Sequence, residues 1–313
     1  EQYAAQGDQN LKIRLDSTVA SVVEAYYGSV RDQQLLSAQT EVLPASEQVL
    51  TITEGQFENG SGSKLNALLA RTDRNAQHAA ELEAATALDN ARTALNLVLG
   101  MRADAQYAVE DTVIIGYDPT LEDLRGAAAK GNNELQLTDR DRQIAALGLR
   151  EFQAMRLPTV DFNAAYQFTK STSNSSLIRF QQNQGPGFGF TATLPLFNGL
   201  ILNSRIKNAK LDVLNAQLAF AQEQQSVDAG TLSAWRTFQS RKQTLALEEE
   251  NRSAAHEMLS IARERYKVGA STIIELQAVE TAYTAAISRL VGARYDAKVS
   301  ETQLRRLAGV LVH

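Results

Sequence analysis

Two stretches of sequence, TVDFNAAYQFT at 159–169 and GFGFTATLPLF at 187–197, determine how the rest of this chain is interpreted. In both, large apolar residues alternate with small or polar ones, and the side chains of a β-strand point alternately to its two faces. The pattern predicts a hairpin with one aromatic and aliphatic face and one small, polar face. Its connection, 170–186, is rich in Ser, Asn and Gln, which is typical of a water-exposed loop.

The hairpin is unusual because the remainder of the chain has the composition of long helices. Two isolated strands do not form a stable core in water, but they suit a membrane if the apolar face meets lipid and the polar face lines a lumen. Each strand would be about 36 Å long, and a tilt of about 40° brings this close to the ~30 Å hydrocarbon core. A hairpin packed on a helical body is the alternative, which the alternation alone does not exclude. In a membrane, the side chains expected to face lipid are Phe162, Tyr166, Phe168, Phe188 and Phe190.

Composition excludes several classes of function. The 313 residues carry a formal net charge of −5, so the chain lacks the basic field expected of a nucleic-acid-binding protein. It has no Cys, which excludes disulfides and thiolate metal sites. His78, His256 and His313 lack the spacing of a metal site, and no Ser/His/Asp arrangement follows from spacing. We therefore expect no metal, no cofactor and no enzymatic activity.

An internal repeat appears when the sequence is shifted by 209 residues. The constant offset, kept over about 85 residues, indicates a duplicated half. The second copy is complete, whereas the counterpart of its leading helix and β-hairpin would lie before Glu1. We therefore expect the chain to lack roughly the first quarter of its parent protein. Aligned pairs include Tyr26 with Trp235, Gly60 with Gly269, Ser63 with Thr272, Leu95 with Leu304, and Gly100 with Gly309.

The repeat divides the chain into five segments. These are a first helical hairpin at 1–100, a linker at 101–119, a leading helix at 120–156, the β-hairpin at 157–199, and a second helical hairpin at 200–313.

The long helices are predicted to form coiled coils. Pro44 should kink or break the first of them. In the last helix, steps of three and four residues define a heptad seam. The seam consists of Leu276, Val279, Tyr283, Ala286, Leu290, Ala293, Ala297, Ser300, Leu304 and Leu307.

Each helical hairpin turns at a loop that contains glycine. Gly60 and Gly269 can adopt the positive φ that often ends a helix. Ser63 in the first loop, and Ser271 or Thr272 in the second, are at positions where they can cap the next helix.

Several motifs, in this order and spacing, resemble the TolC-type outer-membrane efflux proteins of Gram-negative bacteria. Together they cover nearly the whole chain. They are Ala25-Tyr26-Tyr27, Pro119 to Leu124, Asn132 to Leu135, Leu157-Pro158, the Leu194 to Gly199 run that closes the hairpin, and the Arg265 to Leu276 run at the second helical tip.

The resemblance implies a mainly α trimer whose protomers share a transmembrane β-barrel and build an α-barrel tunnel in the periplasm from long coiled-coil hairpins. It implies a passive exit duct in the outer membrane, used for efflux or type I secretion. The implied partners are two more copies of the chain, a periplasmic membrane-fusion (adaptor) protein, an inner-membrane pump and outer-membrane lipid. In the family each protomer gives four strands to the barrel, whereas this chain supplies two. A periplasmic coiled-coil scaffold without a channel is the alternative.

The resemblance also assigns residues. Glu275 matches an acid that faces the tunnel near its closed end, so three copies would form a ring of negative charge that attracts cations. A solvated helix carboxylate is an equal alternative, and Ala278 stands where the family often has a second acid. Residues implied to contact the adaptor are Gly60, Gly62, Ser63, Tyr266, Gly269, Ser271 and Thr272.

Overall fold

The computed structural model describes residues 2–107, 109–110, 112–172, 180–197 and 199–311. Within them, the chain is mainly helical with one antiparallel pair of strands, which confirms the predicted fold class. The elements are α1 (Gln2–Glu58), α2 (Lys64–Leu99), α3 (Leu121–Gly131), α4 (Asn133–Ala154), β1 (Thr159–Thr172), β2 (Phe180–Thr193), α5 (Ile201–Lys267) and α6 (Ile273–Leu307).

The chain forms two compact units. One comprises Glu1–Gln6 and Leu137–Gln222 and contains the β-hairpin. The other comprises Gly7–Gln136 and Glu223–His313 and contains both helical tips.

The strand register confirms the two predicted faces of the hairpin. Phe162 lies opposite Phe190, and Ala164 opposite Phe188. Directly opposed residues of an antiparallel pair share a face, so the aromatic residues of both strands lie together.

The predicted strand bounds are partly wrong. β1 continues to Thr172, and β2 runs from Phe180 to Thr193 rather than from 187 to 197. Much of the expected loop 170–186 is therefore strand, because backbone pairing extends a ladder even where side-chain alternation has stopped. β2 contains Pro186, opposite Tyr166, and ends at Thr193, two residues before Pro195. Residues 173–179 of the expected loop lie outside the described residues.

The predicted leading helix 120–156 is two helices, because Asn132 interrupts it with an extended ψ of 120°. Its side-chain Oδ1 accepts the Leu135 N–H at 2.9 Å, and its Nδ2 donates to the Leu307 carbonyl at 3.2 Å. The Asn132 side chain therefore starts α4 and also attaches the junction to the end of α6.

Pro44 does not break α1, which runs without interruption from Gln2 to Glu58. A proline inside a helix lacks one backbone hydrogen bond. Val42, two residues before Pro44, is buried against α5 and α6, and these tertiary contacts keep this segment helical.

The duplication is visible in the backbone. Gly60 and Gly269 have φ of 71° and 72°, and Gly100 and Gly309 both have φ of 67°. Each pair is separated by the offset found in the sequence, so both helical hairpins end their helices in the same way.

The α6 seam is largely buried, as predicted. Tyr283 and Ala286 pack with Val42, Ala255 and Leu259 in one cluster. Leu304 packs with Leu124, Phe238 and Ala308 in another. α6 also buries two carboxylates beside the seam, Glu280 and Glu301, which the heptad pattern does not predict.

Among the described residues, none of the helices combines the length and the apolar character needed to cross a membrane.

Candidate functional site

The aromatic face of the hairpin is exposed. Phe188 is 78% exposed and Phe190 is 75% exposed, and the rings of Phe162 and Phe190 are in contact, with 4.9 Å between centroids and a tilt of 43°. Phe162, Tyr166 and Phe168 are also exposed. Apart from Gly185, the strand residues whose burial is described are exposed, so the hairpin does not pack its apolar face on a helix.

The opposite face is small and polar. Asp161 lies opposite Thr191, Asn163 opposite Gly189, and Ala165 opposite Gly187. Within the described residues the sheet has two strands, so both outer edges are free to pair with further strands.

The two helical tips have the same hydrogen-bond geometry. In the first tip, the N–H groups of Gly60 and Ser61 donate to the carbonyls of Phe57 and Gln56 at 3.0 and 2.9 Å. In the second tip, Gly269 and Ala270 donate to Tyr266 and Arg265 at 3.0 and 2.8 Å. Both are glycine-terminated helix ends, in which positive φ lets the chain reverse.

The next helices are capped as predicted. Ser63 accepts the Asn66 N–H, and Thr272, rather than Ser271, caps α6 in a reciprocal capping box with Glu275. Gly62 is tightly packed, because a Cβ there would lie 2.8 Å from the Gln56 Cβ.

The tips also expose apolar side chains that the sequence argument did not include. Leu65 and its counterpart Ile274 are both exposed on the first turn of their helices, and Val268 is exposed in the second loop. The two tips lie together around an open cavity of about 440 Å³, which is lined by Asn66 from the first tip and by residues of the second, including Tyr266, Gly269, Ser271 and Thr272.

Glu275 is an exposed, ionised cap residue. Its Oε2 accepts the Ser271 hydroxyl at 2.5 Å and the Thr272 N–H at 3.3 Å. The Ser271 bond first, then the Thr272 bond and the charge of Arg265, lower the pKa of Glu275 below its ordinary value. This carboxylate therefore adds a stable negative charge at the second tip, while its cap position gives it a structural role as well.

The linker between the copies is held by residues that the sequence identified only as an aligned pair of the repeat. The Tyr26 hydroxyl accepts the Glu110 N–H at 3.1 Å, and the Trp235 Nε1–H donates to the Pro119 carbonyl at 3.3 Å. Tyr26 and Trp235 are counterparts in the repeat, so each copy contributes one aromatic residue that holds the linker.

Glu301 anchors the linker from α6. Its side chain is 0% exposed and accepts hydrogen bonds from the Gly116 N–H at 3.2 Å, Arg305 at 2.9 Å and Lys298 at 2.8 Å. Lys298 also donates to the Ile114 carbonyl at 2.6 Å. Burial would raise the pKa of Glu301, but these bonds outweigh it and the pKa lies below the ordinary value.

No group of three or more potential metal ligands occurs in the part of the chain that the structure describes. His78 pairs with Glu81 at 3.3 Å, and His256 lies 5.8 Å from the Tyr283 ring between centroids. His313 lies outside the described residues.

The sequence of the chain matches a known protein family. Residues 1–101 and 125–310 match the family described as "Outer membrane efflux protein". The chain is 24% identical over 323 residues to outer membrane protein TolC of Escherichia coli, across 99% of this chain and 65% of that protein. It is 20% identical to the alkaline protease secretion protein AprF of Pseudomonas aeruginosa, across 97% of this chain and 64% of that protein.

The fold also matches solved structures. The outer membrane channel CmeC of Campylobacter jejuni superposes with a TM-score of 0.77 at 14% identity, covering 98% of this chain and 65% of that one. The chain thus spans about two thirds of the length of these proteins.

Proposed function

Because the chain belongs to the family of outer membrane efflux proteins, we propose that it forms part of a passive exit duct in the outer membrane of a Gram-negative bacterium. The hairpin lies in the membrane and the long helices extend into the periplasm. The duct catalyses no reaction, in keeping with the similar solved structure, which is named a channel.

The exposed aromatic face of the hairpin is the observation that carries this proposal. An apolar face of this size is costly in water, and it becomes favourable when lipid covers it. The polar face then lines the lumen, and further strands of the shared barrel close the free strand edges. A homotrimer, implied by the family resemblance, supplies strands to that barrel.

The proposal gives each segment of the chain a place in the duct. Residues 157–199 cross the membrane, the hairpins 1–100 and 200–313 build the periplasmic tunnel together with α3 and α4 of segment 120–156, and the linker 101–119 surrounds its middle. The scaffold alternative requires the hairpin to be covered by helices, and the exposure of its described side chains argues against that.

A matched pair of arginine substitutions tests the membrane assignment. Phe190→Arg puts a charge on the aromatic face, where lipid contact costs about 2–4 kcal/mol. Thr191→Arg puts the same charge on the polar face. In the full-length protein, Phe190→Arg should reduce the amount recovered in outer-membrane fractions, whereas Thr191→Arg should assemble and change conductance in planar bilayers. Equal effects of the two changes on assembly would contradict the face assignment.

The two tips are proposed to dock on a periplasmic adaptor protein that is linked to an inner-membrane pump. Their exposed apolar residues, Leu65, Val268 and Ile274, support this role, because they lie beside the loops that reverse the chain. Gly60, Gly62, Ser63, Tyr266, Gly269, Ser271 and Thr272 shape the contact.

Photocrosslinkers at Ser61 and Ala270 test the docking proposal. Both positions are exposed at the turn of a tip, and both should capture the adaptor in cells. Gln222, in the middle of α5, is the control. Capture at Gln222 without capture at the tips would rule out docking through the tips.

A further inference from the structure

Glu280 is a buried acid with an incomplete set of partners. Its side chain on α6 is 3% exposed, and its ion pair with Arg263 of α5 is long, at 3.5 Å between Nη2 and Oε1. The Nε of Arg263 is itself buried without a hydrogen-bond partner. Burial of a carboxylate costs a large desolvation free energy, and one long ion pair offsets only a small part of it.

A second acid, Asp73 on α2 of the other helical hairpin, lies near enough for its charge to act on Glu280. The Gln277 side chain of α6 donates to the Leu69 carbonyl of α2 at 3.4 Å. Glu280 is one turn beyond Gln277, and Asp73 is one turn beyond Leu69, so the two carboxylates are brought into the same region of the α2–α6 contact.

The surrounding groups do not neutralise this pair of acids. A cavity of about 180 Å³ beside Glu280 is lined by Arg263, Tyr266 and Lys267 of α5 and by Leu276 of α6. α1 contributes only uncharged side chains to the cavity lining: Ala45, Gln48, Val49 and Ile52. Arg263 is the cation that pairs with Glu280, whereas Lys267 is more than half exposed and pairs with Glu264 at 2.8 Å.

We propose that Glu280 and Asp73 form a proton-binding site that controls how tightly α2 holds α6. When both acids are ionised, they repel each other across the contact. When one proton binds, the repulsion ends and the two helices pack more closely. Acidity therefore strengthens the link between the two helical hairpins directly behind their tips.

The pKa values of both acids are shifted in the direction that the proposal requires. Burial first, and then the negative charge of Asp73, raise the pKa of Glu280 against the opposing charge of Arg263. Burial also raises the pKa of Asp73, against a hydrogen bond from Gln77. A raised pKa means that the packed state binds the proton more tightly than the open state. The added stability is complete below the ordinary carboxyl pKa and is lost as the pH rises through the raised one.

Hydrogen exchange of the intact protein in detergent tests the proposal. Amide protection of α2 residues 64–80 and α6 residues 273–290 is measured at pH 5 and pH 7.5, corrected for the intrinsic rates. Wild type should be more protected at pH 5, by roughly threefold or more. Glu280→Gln mimics the protonated acid, and it should show the high protection at both values. The exposed Glu83→Gln on α2 is the control and should behave as wild type.

Asp73→Asn is the second arm, and it removes the repulsion from the other side. If the buried Glu280→Gln variant does not fold, Asp73→Asn still tests the proposal, because it should reduce the pH dependence to the part that comes from the burial of Glu280. His78 and His256 remain in every variant, so they are common to the series. Protection in wild type that does not change with pH would overturn the proposal, as would a pH dependence as large in Asp73→Asn as in wild type.

Discussion

The two helical hairpins, α1–α2 and α5–α6, repeat one backbone but exchange the signs of their charges. Glu54 pairs with Arg71 at 2.6 Å in the first, and the equivalent residues in the second are Arg263 and Glu280, at 3.5 Å. Further along, Asp89 pairs with Arg92 at 3.7 Å, and the equivalent residues are Lys298 and Glu301, at 2.8 Å.

Burial determines how much each ion pair contributes to stability. Glu54 and Arg71 are 36% and 60% exposed, so water screens them and their pairing contributes little to stability. Glu280 and Glu301 are almost fully buried, so each depends on its protein partners. Glu301 has three such donors and Glu280 has one. The two copies thus share the positions of the contacts, but the acids of the second copy are buried, where Glu301 holds the linker and Glu280 pairs within its own hairpin.

Glu301→Ala should break this comparison most strongly. Removing a buried carboxylate leaves Lys298 and Arg305 without their common acceptor and the Gly116 N–H unpaired. The loss is expected to be about 3–5 kcal/mol of unfolding free energy. Asp89→Ala, in an exposed pair of the first copy, should cost less than about 1 kcal/mol. Denaturant unfolding in detergent measures both.

Limited proteolysis adds a local measurement to this pair of variants. The linker around Gly116 should be cut faster in Glu301→Ala and at the wild-type rate in Asp89→Ala. Equal stability losses in the two variants would mean that burial does not distinguish the two copies.

Glycines at the helix ends provide the second contrast. Gly100 and Gly309 share a φ of 67°, so alanine in this left-handed region costs about 1–2 kcal/mol at either site. A Cβ at Gly100 would meet open space, whereas one at Gly309 would overlap the Gly131 carbonyl oxygen. Gly309→Ala should therefore cost about 1–3 kcal/mol more than Gly100→Ala.

Thermal unfolding of the two alanine variants tests this expectation. If they lose the same stability, the close approach of Gly131 to Gly309 does not contribute to the packing of α3 against α6.

Sequence alone predicted the parts of this molecule that depend on local rules. Glycine and a capping residue identified both tips, and alternation identified the two faces of the hairpin. The α6 seam followed from its heptads. These features repeat at fixed spacings, so one sequence contains enough signal to find them.

The parts that sequence did not predict depend on long-range contacts. Nothing near Glu280 or Glu301 in the sequence indicates burial, because each lies next to a seam residue and becomes enclosed only when a third element packs there. The interruption at Asn132 depends on the Leu307 carbonyl, far away in the chain. Pairing in the hairpin likewise extended β2 into a segment rich in Gln and Asn.

The smallest effect on stability is expected at Glu275, which we propose to act as a gate in a ring of three carboxylates near the tips. It corresponds to Asn66 of the first copy. Both lie in the first turn of a helix, three residues after the residue that caps it, but Glu275 alone is charged. Glu275→Gln keeps a side chain that can complete the capping box, so the protein should fold and assemble as wild type. In a trimer, however, the change removes a ring of negative charge near the tips. Single-channel recordings should then show a lower cation preference and weaker block by multivalent cations.

Asn66→Asp is the converse variant, because it adds a second acid at the equivalent position of the first copy while a Ser63 cap remains available. Asn66→Asp should strengthen the block by multivalent cations. In the double variant with Glu275→Gln, the block should return part of the way to the wild-type strength. If neither variant alters selectivity or block, Glu275 serves α6 as a cap and has no part in gating.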